Sequence, residues 1–344
     1  MLMPEHGSAP AVRRKIPFSR IGFVLSLGIF VAGVIMLYHI LRDIRPRALL
    51  TALQATDPQT LVIAGCLVAG GYVTLTLYDL FALRTIGRFD VPYRVAALGS
   101  FTSYSVGHNI GASVFSGGAV RYHIYSNWGL SVVEVTKICF VAGLTFWLGN
   151  VTVLGLGILY TPAAAHAIDQ MPLWANRGLA IVLLGLLAAY VGWVWSKPRI
   201  IGRDDWQVVL PGGPLTLVQI VIGIFDLSFC AAAMYMLMPG EPNVGFATVA
   251  VIFVAATLLG FASHAPGGLG VFDATMLVAL YQFNKEQLLA GLLLFRLLYY
   301  ITPFVLSLIV LGVREARLNA ARRAARTPPL ATARQYAGER SDVS

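Results

Sequence analysis

Six separate runs of apolar residues dominate this chain of 344 residues. A helix that crosses the hydrocarbon core of a bilayer needs about 20 predominantly apolar residues. Charged residues make up only 12% of the chain, whereas soluble domains carry about 25%. The sequence therefore predicts an all-α polytopic membrane protein with six full spans, at residues 21–41, 61–81, 132–158, 178–196, 214–238 and 288–313.

Two further apolar regions, 95–126 and 245–283, are interrupted by glycine-rich polar stretches. Lipid offers no hydrogen-bond partners, so broken backbone persists at membrane depth only inside protein or beside a wet cavity. Paired interruptions in corresponding places of two halves point to a transport site. We expect each region to be a re-entrant hairpin or a pair of short spans, with broken-helix backbone at Gly107, Asn109, Gly111, Gly117 and Gly118 and at Pro266, Gly267, Gly268 and Gly270.

The net charge of +9 comes largely from basic clusters, which orient the spans by the positive-inside rule. This rule predicts that both termini are cytoplasmic, and the position of the clusters at the ends of the chain argues against a nucleic-acid partner. Arg42, Arg45 and Arg47 fit the orientation badly, because they would lie outside. The clusters expected on the cytoplasmic side lie within residues 13–20, 84–94, 197–203 and 314–326.

The order of elements predicts an inverted repeat. Each half contains three full spans and one broken element, and an odd number of crossings turns the second half upside down. The first spans start at 21 and 178 and the last at 132 and 288, an almost equal separation. Both last spans open with a helix-capping signature, Ser131-x-x-Glu134 or Asn284-x-x-Gln287. The predicted organisation is a basic cytoplasmic N-terminus, two membrane repeats and a basic cytoplasmic tail or linker, at residues 1–20, 21–158, 178–313 and 314–344.

Charged side chains inside the predicted membrane region are the candidate binding groups. A charge at mid-membrane costs about 2.5–3.5 kcal/mol on insertion scales, which makes it a functional hypothesis. Arg121 and Arg296 can bind a lipid phosphate bidentately, and Asp79, Asp226 and Asp273 can receive the amine of a zwitterionic or cationic lipid headgroup. The alternative is that these charges only pair with one another and hold the bundle together.

Other polar residues carry weaker hypotheses. His108 and His264 could relay protons or simply pack, and Glu134 and Lys137 could join such a relay or form a local ion pair. The sequence shows no metal-ligand spacing, cofactor motif or catalytic constellation, so we expect no metal, no cofactor and no enzymatic activity. Gly- and Ala-rich helix faces permit a homodimer.

Two motifs carry a family resemblance. Residues 116–131, SGGAVRYHIYSNWGLS, resemble the GGxxRxxxYxxxGxs stretch of the lysylphosphatidylglycerol synthase transmembrane-region family, which includes the flippase region of bacterial multiple peptide resistance factors. Residues 266–273, PGGLGVFD, are similar to its PGGlGvfe stretch. Gly117, Gly118 and Arg121 match the first motif, and Asp273 stands where an acid, often Glu, is expected. The second motif is also matched at Pro266, Gly267, Gly268 and Gly270.

The resemblance implies a flippase that moves lysyl- or alanyl-phosphatidylglycerol from the inner to the outer leaflet. This movement would lower negative surface charge and give resistance to cationic antimicrobial peptides. Two-domain members continue into a soluble aminoacyltransferase domain, which we do not find after Val313. We therefore expect a stand-alone relative, or the membrane part of a two-domain phosphatidylglycerol lysyltransferase, with the transferase separate or fused.

Two other functions stay open at this point. The chain could be a membrane anchor that presents lipid to a separate lipid-modifying enzyme, in which case the intramembrane charges would be dispensable. It could instead be an ion-coupled transporter of a small solute, in which case transport would depend on a titrating histidine or acid.

Overall fold

The computed structural model describes residues 46–110, 113–203, 206–263 and 266–326. The first predicted span, 21–41, lies outside these residues, as do Gly111, His264 and residues 327–344. The described ranges contain the helices α1 (Pro46–Ala55), α2 (Pro58–Thr85), α3 (Tyr93–Ile110), α4 (Ser113–Tyr125), α5 (Val132–Tyr160), α6 (Pro162–Asp169), α7 (Leu173–Ser196), α8 (Gly213–Leu237), α9 (Phe246–Ala262), α10 (Val271–Ala279), α11 (Lys285–Phe295) and α12 (Thr302–Arg326).

Five helical segments in the described residues are long and apolar enough to cross a membrane. They are α2, α5, α7, α8 and the continuous segment Lys285–Ala320, which joins α11 to α12 through a π-helix at Arg296–Ile301. Each corresponds to one of the predicted spans. The protein is thus a predominantly helical, multi-pass membrane protein, although a small antiparallel hairpin of β1 (Ile200–Arg203) and β2 (Trp206–Val209) was not expected.

Each of the two glycine-rich regions forms a pair of helices. In the first, α3 ends at Ile110, α4 begins at Ser113, and the two helices pack against each other. The prediction of broken-helix backbone at these positions was wrong, because Gly107 and Asn109 lie inside α3 and Gly117 and Gly118 lie inside α4. The two helices approach each other closely at Gly117, whose carbonyl accepts a 2.7 Å hydrogen bond from the Ser103 hydroxyl.

The second region forms α9, a 3₁₀ turn at Pro266–Gly268, and then α10. Gly267, Gly268 and Gly270 have φ angles of 59°, 61° and 80°, in the left-handed region that costs glycine little. The chain can therefore reverse between α9 and α10. Both short helices of this region, with 17 and 9 residues, are shorter than the about 20 residues of a typical span.

The predicted helix caps form as the sequence suggests. Ser131 and Glu134 make the reciprocal capping box at the start of α5. The Asn284 side chain accepts hydrogen bonds from the amides of Glu286 and Gln287 at the start of α11. These caps satisfy backbone donors that the first helical turn leaves without partners.

Close crossing of α5 and α8 centres on two glycines. A Cβ atom added to Gly149 or to Gly223 would lie 2.7 Å from the Cα atom of the other residue. Beside this crossing, α8 packs along α2, which in turn packs against α3. This packing places the inner face of α2 between the first glycine-rich region and α8.

Candidate functional site

The first buried ion pair joins α2 to α4. The Arg121 guanidinium donates to both carboxylate oxygens of Asp79, with Nε–Oδ2 and Nη2–Oδ1 distances of 2.9 and 2.8 Å. The Tyr125 hydroxyl adds a 2.6 Å hydrogen bond to Oδ2. Asp79 is 0% exposed and Arg121 is 5% exposed. The Tyr104 ring lies 4.7 Å from the guanidinium carbon, in a cation–π contact.

The second ion pair joins α10 to the π-helix. Arg296 Nε and Nη2 donate to Oδ1 and Oδ2 of Asp273 at 3.1 and 2.5 Å. Arg296 Nη1 also donates to the carbonyl of Gly267 at 3.2 Å, and the Gly270 amide donates to Asp273 Oδ2 at 3.2 Å. The Tyr300 ring lies 5.8 Å from the guanidinium carbon. This pair therefore fixes the glycine turn against the π-helix.

The two glycine-rich regions meet beside these pairs. The side-chain amide of Asn109 donates to the carbonyl of Tyr300 at 3.1 Å, and the His108 carbonyl faces Gly267. Ring contacts run from Tyr104 to His108 and from His108 to Tyr300, with centroid distances of 5.6 and 6.4 Å. We call these three rings the aromatic bridge. The bridge connects the two guanidinium groups.

Asp226 lies on α8, next to the first ion pair but without an arginine of its own. It is 4% exposed and accepts a 3.0 Å hydrogen bond from the hydroxyl of Tyr78, the residue before Asp79. The Cys230 thiol lies 4.0 Å from its other carboxylate oxygen. In the part of the chain that the structure describes, no cationic side chain forms an ion pair with Asp226.

The predicted local contact between Glu134 and Lys137 is absent from the described ion pairs. Glu134 binds Arg88 instead, with a 2.7 Å Nη1–Oε1 distance, and turns back to cap Ser131. Because the capping box directs Glu134 toward the helix start, it points away from the next turn. His108 lies in the aromatic bridge, and its Nδ1 has no hydrogen-bond partner among the described residues.

Arg88 also organises the loop between α2 and α3. It binds the Asp90 carboxylate through Nε and Nη2 at 3.0 and 3.1 Å and the Trp128 carbonyl at 2.7 Å. The hydrogen bonds to Asp90 and Glu134 raise the pKa of Arg88, and those from Arg88 lower the pKa of Asp90. The contacts tie the loop to the start of α5.

The sequence analysis assigned no role to the tyrosines that complete the site, although the first family motif already contains Tyr125. Tyr125 and Tyr300 each lie four residues after an arginine of an ion pair, one helical turn away. This repeated spacing is a signal that could have identified them. Across the described segments, no group of three His, Cys, Asp or Glu side chains is arranged to hold a metal.

A separate cavity of about 460 Å³ lies near the β-hairpin. Arg84 at the end of α2, Lys197 after α7 and the first turn of α8 line it, together with Trp195. None of the charged residues of the two ion pairs contributes to its lining.

Comparison with known proteins identifies relatives along nearly the whole chain. The inner membrane protein YbhN of Escherichia coli is 28% identical over 302 residues, which cover 86% of this chain and 92% of YbhN. The uncharacterized protein slr0712 of Synechocystis sp. is 28% identical over 269 residues, which cover 77% of this chain and 83% of the relative.

The phosphatidylglycerol lysyltransferase of Staphylococcus haemolyticus is 28% identical over 293 residues. These residues cover 84% of this chain but only 33% of the lysyltransferase, so the likeness spans about a third of that relative. The model of the lysylphosphatidylglycerol synthase TM region matches residues 23–307. The chain therefore belongs to the lysylphosphatidylglycerol synthase TM region family.

Proposed function

We propose that this protein is a lipid flippase that moves aminoacylated phosphatidylglycerol from the inner to the outer leaflet. The observation that carries the proposal is the two Asp–Arg ion pairs, one buried and one partly buried, which lie at the two glycine-rich regions and are connected by the aromatic bridge. Membership of a family named for lysylphosphatidylglycerol synthesis supports a membrane lipid as the substrate.

A headgroup that bears both a phosphate and an ammonium group can replace both partners of such an ion pair at once. The phosphate would take the guanidinium of Arg121 or Arg296 in bidentate geometry. The ammonium group would take the carboxylate of Asp79 or Asp273. Separating a buried ion pair by removing one partner costs about 3–5 kcal/mol. A lipid that carries only the phosphate would leave an aspartate unpaired.

The headgroup would pass along the polar backbone of the two glycine-rich regions while the acyl chains remain in the bilayer. The aromatic bridge offers ring faces that attract an ammonium group. In this proposal the chain moves the lipid, and a separate enzyme or domain attaches the amino acid. The location is the bacterial inner membrane with both termini cytoplasmic, which the basic clusters support, and the cellular result is resistance to cationic antimicrobial peptides.

The experiment is leaflet exchange of fluorescent lipids in liposomes that contain the purified full chain. The comparison is lysylphosphatidylglycerol with unmodified phosphatidylglycerol. Faster exchange of the lysyl lipid than of the unmodified lipid is the expected result. Exchange no faster than in protein-free liposomes would contradict the proposal and favour a lipid-presenting anchor or a solute transporter.

A further inference from the structure

Asp226 differs from the other two acids of the site, the buried Asp79 and the partly buried Asp273, in its partners. Asp79 receives three hydrogen bonds from the Arg121 guanidinium and one from the Tyr125 hydroxyl. Asp273 receives two from the Arg296 guanidinium and one from the Gly270 amide. Asp226 receives one hydrogen bond, from Tyr78, and has a thiol at 4.0 Å. A buried carboxylate without a cation or several donors is unfavourable when ionised.

The groups in contact with Asp226 are the hydroxyl of Tyr78 on α2 and the thiol of Cys230 on α8. The charged residues of α2 have other partners: Asp79 pairs with Arg121, and Arg84 donates to main-chain carbonyls of the following loop. The helix α9, which also packs on α8, contains no titratable residue. The other helices packed on α8 carry titratable groups that form no ion pair with Asp226 in the described segments: Glu134, Lys137 and Cys139 on α5, Arg177 and Tyr190 on α7, and Lys285 and Glu286 on α11.

We propose that Asp226 is a proton-binding site that exchanges its proton for one of the two ammonium groups of the lysyl headgroup. The inference rests on the proposed function, and it identifies the proton as the ion whose movement is coupled to lipid transport. When the ammonium group arrives, the carboxyl O–H bond of Asp226 breaks, water takes the proton, and the carboxylate pairs with the ammonium. When the lipid leaves, water returns a proton to the carboxylate.

This exchange conserves charge, because one cation replaces another beside the same carboxylate. A lipid bound from the inner leaflet releases a proton to the cytoplasm, and its departure to the outer leaflet takes up a proton from outside. Inward movement of protons would thereby drive outward movement of the lipid. A one-proton exchange shifts the equilibrium lipid distribution about tenfold per unit of pH gradient.

The first test measures the proton directly, without any lipid transport. Infrared spectra of the purified full chain in nanodiscs of neutral lipid at pH 7 are compared with those of Asp226→Asn. We expect a protonated-carboxyl C=O band in the wild-type protein that the variant lacks. Glu241→Gln, an exposed site in the loop after α8, is the matched control and should keep the band. A wild-type spectrum without this band would overturn the inference.

The second test measures coupling in proteoliposomes that contain lysylphosphatidylglycerol and an internal pH dye. We expect an imposed pH gradient to drive lipid redistribution in the wild-type protein and the Glu241→Gln control. Asp226→Asn, checked for folding by size-exclusion chromatography, should lose the response of lipid redistribution to the gradient, because it has no carboxyl proton to exchange. Wild-type exchange that ignores the gradient would overturn the inference and leave the flippase function standing.

A wild-type protein that exchanges no lipid would contradict the proposed function instead. In that case the infrared band still decides whether Asp226 holds a proton. Asp226→Glu separates chemistry from packing, because it should restore the gradient response that Asp226→Asn removes.

Discussion

The side-chain amide of Asn109 donates to the main-chain carbonyl of Tyr300 across 3.1 Å, although 191 residues separate them in the chain. Asn109 is the penultimate residue of α3, in the first glycine-rich region, and Tyr300 lies in the π-helix that carries Arg296. A π-helical turn shifts the register of the backbone and is frequent at functional sites. This bond joins the two halves of the candidate site.

We expect Asn109→Ala to destabilise the protein by about 1–3 kcal/mol, the cost of leaving a buried acceptor without its partner. Thermal unfolding in detergent, followed by circular dichroism, measures the change. Asn127→Ala is the matched control, because the exposed Asn127 side chain makes only a short-range bond to the His123 carbonyl. Equal melting temperatures for the two variants would refute a structural role for the bond.

The Asp79–Arg121 pair should tolerate reversal better than deletion. Asp79→Ala leaves a buried guanidinium unpaired and should cost about 3–5 kcal/mol. The double variant Asp79→Arg with Arg121→Asp should recover part of this loss, because it restores opposite charges in the same place. Detergent stability of the single and double variants gives the coupling energy. If the loss of stability in the double variant equals the sum of the losses in the single variants, the two residues have no specific coupling energy.

Tyr300 should contribute through its ring face. We expect Tyr300→Leu to lose about 0.5–2 kcal/mol of cation–π attraction to Arg296 and to slow exchange of the lysyl lipid. Tyr281→Leu is the control, since this ring is 75% exposed. Vesicle exchange rates for the two variants, at matched protein content, make the comparison. A Tyr300→Leu variant that exchanges lipid at the wild-type rate would exclude the ring from the path.

The contacts of Arg88 predict a pH dependence outside the membrane. Arg88 lowers the pKa of Asp90 below its ordinary value of 3.8. At pH values above 3.8 the interaction therefore contributes its whole stabilisation to the fold. This stabilisation is lost as the pH falls through the lowered pKa of Asp90. We expect wild-type stability to drop more steeply with acid than that of Asp90→Asn. If the stability of the two proteins falls with equal slope as the pH is lowered, the Arg88–Asp90 ion pair does not contribute to the stability of the fold.

Most of the fold prediction came from the length of the apolar runs and from the positions of the glycines. The runs at 61–81, 132–158 and 214–238 match long helices because a span must pair its own backbone hydrogen bonds. The glycines at 267, 268 and 270 marked a reversal because they adopt positive φ angles. The sixth span at 21–41 lies outside the described residues, and the inverted repeat stays a prediction.

The partners of the charges could not be predicted in the same way. Periodicity places Asp79 and Arg121 on helices, but tertiary packing decides that they meet, 42 residues apart. For Glu134 the sequence spacing was misleading. Its three-residue spacing from Lys137 suggested a local ion pair, whereas in the structure Glu134 pairs with Arg88, which is distant in the sequence. The β-hairpin at 200–209 was missed because its strands have only four residues each.

The most direct test of the proposed function measures lipid exchange by the ion-pair variants. Arg121→Ala and Asp273→Ala are compared with the wild-type protein and with exposed controls of the same charge, Arg94→Ala and Glu286→Ala. Size-exclusion chromatography first establishes that each variant is folded. The account predicts that both ion-pair variants lose selective exchange of lysylphosphatidylglycerol while both controls keep it. Folded ion-pair variants that exchange the lysyl lipid as fast as the controls would contradict the account.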